Sequence, residues 1–218
     1  MPVSLQEIKK LVRRGEGQQI EFKRKVAHPE KIVREIVAFA NADGGYLLVG
    51  ISDEGGIPGL KYAEEHDYLL KKAIDELCRP ALSYKSEIVP IDDNLGVLYY
   101  FIKPSKRRPH YALADTTQAY GKAYIRVGDK SIQASDEMRQ ILKQSRRTKN
   151  IKFTYGENEK KLMEHFKFNK TITLSEFVSI AKIPGIIASR TLVRLCLANV
   201  LTIQPLEKGD LFTLKESF

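Results

Sequence analysis

The sequence predicts an α+β fold, with a mixed sheet flanked by helices, followed by a small second domain. Helical and strand periodicities are mixed along the first part of the chain, which is typical of a sheet covered by helices. A polar and basic run without apolar period, Ser145–Asn150, then interrupts this pattern. The rest of the chain is short and differently patterned. We therefore expect one domain at residues 1–147 and a second at residues 148–218.

The first domain combines helices with apolar residues at helical spacing and strands with alternating or continuous apolar residues. Ser4 and Ser135 suit N-cap positions, Pro29 suits a first helical turn, and Gly44 allows the left-handed residue that closes a helix. In chain order we expect a helix from Ser4 to Gly15, a strand at Gln19–Lys25, a helix from Pro29 to Asp43, a strand at Tyr46–Ile51, a helix at Glu64–Cys78, strands at Ser83–Ile91, Gly96–Ile102 and Lys122–Val127, and a helix at Ser135–Gln144.

The second domain shows three helix patterns followed by two short apolar strands. This order is typical of a winged helix. The expected elements are helices at Glu157–Phe166, Leu174–Ala181 and Ala188–Val200, and a hairpin of Leu201–Ile203 with Leu211–Leu214.

The composition favours an anionic partner. The chain has 36 lysines and arginines against 27 aspartates and glutamates, a formal net charge of +9. Such an excess is typical of nucleic-acid-binding proteins, although contact with a ribosome or a membrane surface would leave the same signature. No apolar run is long enough to span a membrane, and Cys78 and Cys196 lie too far apart for a metal motif. We therefore expect a soluble, cytoplasmic protein whose partner is not a membrane.

An acidic cluster beside a lysine is the first candidate site. Glu21 and Lys23 share one face of a predicted strand, because side chains alternate along a strand. Gly17 lets the backbone bring Glu16 back toward Glu21, and Asp53 follows the end of the next apolar strand. Carboxylate oxygens suit Mg²⁺ or Mn²⁺, and a nearby lysine could steady a phosphate. The alternative is a surface ion pair, a solvated Glu16 and a turn-forming Asp53.

Three segments resemble the Schlafen-type AlbA family in their order and spacing: Arg14–Lys23, Ala38–Asp53 and Ala123–Ser131. The resemblance covers roughly residues 5–145. It implies a nucleic-acid-binding domain, because many bacterial members are regarded as transcriptional regulators or DNA-binding proteins. Some members have been described as ATPases, but this chain has no phosphate-binding loop with glycines, a lysine and a hydroxyl residue in the required order.

The resemblance also implies an alternative activity. In the animal Schlafen proteins, a three-carboxylate site cuts transfer and ribosomal RNA with a divalent metal. The matching metal ligands are Glu16, Glu21 and Asp53, and the adjacent Glu54 could substitute for Asp53. In such a nuclease, Lys23 beside Glu21 would be a further catalytic residue. The animal nucleases pair two lobes, whereas this chain has one, so it would need to dimerise to embrace a duplex.

Two basic stretches are candidate phosphate contacts. The segment Lys103–Tyr111, named the basic segment below, is stiffened by two prolines and ends in a tyrosine that could stack on an unpaired base. The alternative for this segment is a solvated hairpin loop. The expected contacts are Lys103, Lys106, Arg107, Arg108 and Tyr111 in the basic segment, Arg126 on the last matching strand, and Arg146 and Arg147 in the linker.

The third predicted helix of the second domain resembles the recognition helix of winged-helix regulators. Arg190 and Arg194 share its outer face at a spacing of four residues. Dimerisation or protein contact is the alternative use of such a fold. The expected nucleic-acid contacts are Ser189, Arg190, Thr191 and Arg194 on the helix and Lys208 in the wing.

Together these observations predict a nucleic-acid-binding protein, specifically a DNA-binding transcriptional regulator that forms a homodimer. DNA is the favoured partner and RNA the other, and binding needs no cofactor. The alternative is a divalent-metal-dependent endoribonuclease that uses Mg²⁺ or Mn²⁺ on structured RNA. A third interpretation, a protein-interaction adaptor, predicts no salt-dependent binding to any nucleic acid.

Overall fold

The structure is a computed structural model that describes residues 2–145 and 155–215. The chain divides into two compact units, Met1–Gln133 and Ala134–Phe218, each with its own hydrophobic core. The units therefore divide after residue 133, whereas the basic run led us to expect a boundary after residue 147.

Helices and strands alternate along the first unit. Ser4 and Glu7 form a capping box at the first helix, and Gly15 ends that helix with a φ of 75°. Pro29 lies in the first turn of the second helix, where its missing N–H is not needed. The elements are α1 (Leu5–Arg14), β1 (Ile20–Lys23), α2 (Pro29–Asn41), β2 (Gly45–Val49), α3 (Ala63–Leu77), β3 (Cys78–Arg79), β4 (Tyr84–Pro90), β5 (Gly96–Ile102), β6 (Tyr111–Ala112), β7 (Tyr124–Val127) and β8 (Lys130–Gln133).

The main sheet has four strands in the order β1-β2-β5-β4. Strands β1 and β2 are parallel, as the α2 crossover between them requires, whereas β2 with β5 and β5 with β4 are antiparallel. Two smaller ladders join β3 to β6 and β7 to β8. The sheet is mixed and flanked by helices, which confirms the predicted α+β class.

The main sheet buries apolar side chains on both faces. On one face, α2 and α3 pack over Leu47, Leu98 and Tyr100 in the larger core. On the other face, Ile8 of α1 packs with Phe22 and its neighbours in a smaller core. Complete burial of one such side chain contributes about 1.5–3 kcal/mol. The sheet is therefore a rigid support for the side chains at its ends and edges.

The second unit starts with a helix that we expected in the first domain. Helix α4 belongs to this unit because it packs against α7. The expected hairpin is present, and a further short strand makes it a three-stranded sheet in the order β10-β11-β9. The elements are α4 (Asp136–Gln144), α5 (Glu157–Phe166), β9 (Thr171–Ile172), α6 (Leu174–Ala181), α7 (Gly185–Leu197), β10 (Leu201–Gln204) and β11 (Leu211–Leu214).

The core of the second unit lies between its helices and its small sheet. Leu162, Phe177, Leu192 and Phe212 are all buried there, one from each of α5, α6, α7 and β11. Among the residues that the structure describes, no helix has both the length and the apolar character needed to cross a bilayer.

Candidate nucleic-acid interface

The acidic cluster is organised around Glu21. Its register partner Leu47 belongs to the larger core, so β1 directs Glu21 toward α2, and the residue is only 6% exposed. Glu21 Oε1 accepts a hydrogen bond from Lys23 Nζ, and Oε2 accepts one from Arg126 Nη2 at 2.7 Å. The side chains of Glu21 and Lys23 are therefore neighbours, as expected from their shared strand face. Both carboxylate oxygens of Glu21 nevertheless already accept hydrogen bonds from cationic groups.

Arg126, on β7, is buried inside the first unit. Its guanidinium donates to Glu21 Oε2 at 2.7 Å, to Glu35 Oε2 at 2.9 Å and to the carbonyl of Gly17 at 2.9 and 3.0 Å. The guanidinium carbon lies 5.0 Å from the centroid of the Phe39 ring. The side chain is 0% exposed, which corrects the prediction of Arg126 as a nucleic-acid contact. A guanidinium with these internal partners cannot reach a phosphate in solution.

Glu35, on α2, completes this network and was missed from the sequence. Its Oε2 accepts hydrogen bonds from Arg126 and from Ser131 Oγ. Burial raises the pKa of the Glu35 carboxyl, and repulsion from Glu21 adds to the rise, whereas Ser131 and Arg126 oppose it. The sequence signal was its spacing of four residues from the buried Phe39, which directs both side chains to one side of α2.

Glu16 and Asp53 do not join Glu21 in a metal-binding group. Glu16 is exposed, and its Oε1 accepts a hydrogen bond from the Phe22 backbone N–H at 2.8 Å. Asp53 is exposed in the turn after β2. Within the part of the chain that the structure describes, no three His, Cys, Asp or Glu side chains are arranged to hold a metal ion. In this arrangement the predicted ligands do not fit a resident Mg²⁺ or Mn²⁺.

The basic segment runs from the end of β5 into β6. Its exposed cations are Lys103, Lys106 and Arg107, as expected of phosphate contacts. Arg108 is partly buried, and its Nη1 donates to the backbone carbonyl of Asn41 at 3.2 Å. Tyr111 is partly buried in β6, where part of its ring remains accessible. The linker candidates Arg146 and Arg147 lie outside the described residues.

A buried asparagine fixes the backbone of the basic segment. Asn41, the last residue of α2, is 0% exposed. Its Nδ2 donates to the carbonyls of His110 and Tyr124 at 2.9 and 2.8 Å, and its Oδ1 accepts from the His110 N–H at 2.7 Å. The His110 ring contacts the carbonyl of Pro80 at 2.7 Å and Ser105 Oγ at 2.6 Å. The exposed cations therefore stand on a backbone that buried hydrogen bonds hold in place. This role of Asn41 was missed from the sequence.

The candidate residues of α7 do not share one exposed face. Arg190 is exposed on the helix, and Lys208 is exposed between β10 and β11, both as expected. Thr191 is 3% exposed, which corrects its prediction as a groove contact. The reason is the helical period: Thr191 lies three residues after Ala188 and four before Leu195, both in the core, and therefore faces inward with them.

Two further candidates on α7 are engaged by neighbouring helices. Ser189 Oγ donates a hydrogen bond to the Glu137 carboxylate on α4. Arg194 Nη2 donates to Glu159 Oε1 on α5 at 2.9 Å, and the Arg194 side chain remains 45% exposed. The Ser189 hydroxyl is therefore hydrogen-bonded inside the unit, whereas the Arg194 side chain remains partly accessible.

The first unit is thus an α+β domain that presents three cations on a fixed backbone beside a buried ionic network. The chain belongs to the Schlafen, AlbA_2 family, whose model matches residues 16–135.

Two solved structures are similar to this chain. One is the DIP2311 protein from Corynebacterium diphtheriae, with 22% identity and a TM-score of 0.43 over 59% of this chain and 24% of that chain. The other is the N-terminal domain of a RecG-related protein from Nitrosomonas europaea, with 25% identity and a TM-score of 0.41 over 59% of this chain and 90% of that chain. The chain thus spans about a quarter of the first of these proteins. No curated protein matches the chain.

Proposed function

We propose that this protein binds nucleic acid through the basic segment. One observation carries the proposal: Lys103, Lys106 and Arg107 are exposed on a backbone that Asn41 anchors from the interior. Because the backbone that carries these cations is already ordered, binding does not have to order it, and counterion release then favours binding. Membership of the Schlafen, AlbA_2 family supports the same function.

The finer proposal is a DNA-binding transcriptional regulator. The order α5-β9-α6-α7-β10-β11 with its three-stranded sheet supports a winged helix at residues 148–218. In this proposal, Arg190 reads base edges and Lys208 contacts the backbone. A homodimer would present two such winged helices to paired half-sites of the DNA. Sedimentation would then give twice the mass of the 24.8 kDa chain.

The binding proposal is tested by equilibrium titration of the full chain against labelled duplex DNA, single-stranded DNA and transfer RNA at several salt concentrations. The variant Lys103→Gln/Lys106→Gln/Arg107→Gln removes the exposed cations of the basic segment. Each lost phosphate contact lowers the slope of log affinity against log salt by about 0.7–0.9. The expected decrease in slope is therefore about two to three.

A charge-matched control separates the basic segment from the net charge. Lys31→Gln/Lys61→Gln/Lys72→Gln removes three exposed lysines on or beside α2 and α3 and should leave the slope unchanged. An equal decrease in both variants would assign the binding to overall charge. A wild-type chain without salt-dependent binding would overturn the proposal and favour a protein-interaction adaptor.

The regulator proposal is tested by selection from a pool of random duplexes. The wild-type chain should enrich a sequence motif, and Arg190→Gln should lose that enrichment while retaining the salt-dependent affinity. A selected pool that matches the starting pool would overturn the regulator proposal and leave nucleic-acid binding standing.

The proximity of Glu21 and Lys23 keeps the metal-dependent endoribonuclease as the second candidate. This candidate requires an arrangement different from the one described above, in which Glu16, Glu21 and Asp53 converge and Glu21 exchanges its present partners for the metal. Incubation of transfer RNA with the full chain, in Mn²⁺ or in EDTA, tests it. Cleavage that requires Mn²⁺ and is lost in Glu21→Gln would establish the nuclease; intact RNA in Mn²⁺ would exclude it.

A further inference from the structure

Two aromatic rings stack on the sheet face that also carries the smaller core. Tyr46 on β2 and Phe101 on β5 are register partners, with ring centroids 5.0 Å apart and planes inclined by 27°. Tyr46 packs against the edge of the smaller core. Both residues remain partly exposed. This pair is named the aromatic patch.

Cations flank the aromatic patch on the side of Phe101. Lys85 on β4 is the register partner of Phe101 and is exposed. Directly opposed residues of an antiparallel pair project to the same face, so Lys85 stands beside the Phe101 ring. Lys103 follows Phe101 by two residues, just past the end of β5, and it is also exposed. The aromatic patch is therefore continuous with the basic segment, which begins at Lys103.

The other end of this face is acidic. Tyr99, two residues before Phe101, has its ring centroid 5.8 Å from that of Tyr46. Burial raises the pKa of Tyr99 to about 12, and Tyr46, Glu7 and Glu87 contribute to the rise. Glu87 on β4 is the register partner of Tyr99, so the face changes from acidic near Tyr99 to basic near Phe101. A polyanion is repelled from the first end and attracted to the second.

We propose that the aromatic patch binds an unpaired base of a single-stranded nucleic acid, with the adjoining phosphates on Lys85, Lys103 and the rest of the basic segment. This inference rests on the proposed nucleic-acid-binding function and names its substrate class. Any base can extend an aromatic stack, because every base has a π face. Bases in a duplex are already stacked inside the helix, so the aromatic patch discriminates unpaired from paired strands.

The test compares Phe101→Leu with the matched control Tyr99→Leu, a ring deletion on the same strand and face at its acidic end. The full chain is titrated against a single strand containing a fluorescent purine analogue, and against the duplex of the same sequence. Phe101→Leu should weaken single-strand binding about tenfold and abolish the fluorescence change caused by stacking. Tyr99→Leu should change neither, Phe101→Tyr should retain both, and duplex affinity should be the same throughout.

Unchanged single-strand affinity and fluorescence in Phe101→Leu would overturn the inference. An equal loss of affinity for the single strand and for the duplex, in a folded Phe101→Leu variant, would also overturn it.

If circular dichroism shows that Phe101→Leu does not fold, Lys85→Gln decides, because an exposed residue can be replaced without loss of fold. It should lower the single-strand salt slope by about 0.7, and an unchanged slope would overturn the inference. A wild-type chain that binds only duplex would remove this inference alone, whereas one that binds neither would remove the proposed function as well.

Discussion

The Arg126 guanidinium joins β7 to β1 through Glu21 and to α2 through Glu35. Arg126→Met would leave these two carboxylates without their shared cation, and a buried charge that loses its partner is strongly destabilising. We expect the free energy of unfolding to fall by about 3–5 kcal/mol. Urea unfolding followed by circular dichroism measures it. Arg107→Met, at an exposed arginine, should change it by less than about 0.5 kcal/mol; similar small changes in both variants would contradict the role given to Arg126.

The raised pKa of Glu35 leads to a prediction about how the free energy of unfolding depends on pH. Because burial raises its folded-state pKa above the ordinary value of 4.5, the folded chain keeps a proton that the unfolded chain has already lost. The contribution of Glu35 to stability is therefore greatest at low pH and declines as the pH rises from 4.5 through the raised pKa. The wild-type free energy of unfolding, minus that of Glu35→Gln, should fall over this range in urea titrations. A difference that rises with pH would show that attraction by Arg126 outweighs burial.

At the scale of elements, Asn41 couples the end of α2 to the basic segment and to β7. Asn41→Ala would leave the His110 N–H and two carbonyls without this partner, and each buried unsatisfied group costs about 1–3 kcal/mol. We expect faster hydrogen exchange at the His110 amide and weaker nucleic-acid binding, because the cations would lose their fixed backbone. Asn94→Ala, in an exposed turn, is the control. Unchanged affinity in a destabilised Asn41→Ala would mean that binding does not require the anchored backbone.

Elements with a strong local pattern were predictable from the sequence. The capped helix α1 and the continuous apolar strand β5 lie where periodicity placed them. Strands β3 and β6 have two residues each, too few to show a period. The site was less predictable because its partners are remote: Glu21 and Arg126 lie 105 residues apart, and Asn41 and His110 lie 69 apart. Local patterns can indicate that a residue is polar but not which distant group neutralises it.

At the scale of the whole molecule, the total of 36 lysines and arginines overstates the number of cations available to a partner. Arg126 is buried in ion pairs, and Arg194 shares its guanidinium with Glu159. Apart from Arg194, the exposed candidates fall into two groups, one in each compact unit. The first group is Lys103, Lys106 and Arg107, and the second is Arg190 and Lys208.

If both groups contact the same nucleic acid, their contributions to the salt dependence should add. Removal of the first group lowers the slope by about two to three, and Arg190→Gln/Lys208→Gln should lower it by about a further 0.9 on duplex DNA, because Lys208 contacts a phosphate whereas Arg190 contacts a base. The five-residue variant should show the sum, because the two groups belong to separate compact units and should act independently. Titration of all three variants against one duplex measures this. A slope unaffected by Arg190→Gln/Lys208→Gln would instead assign α7 and its neighbouring loop to protein contact, and would leave the basic segment of the first unit as the binding surface.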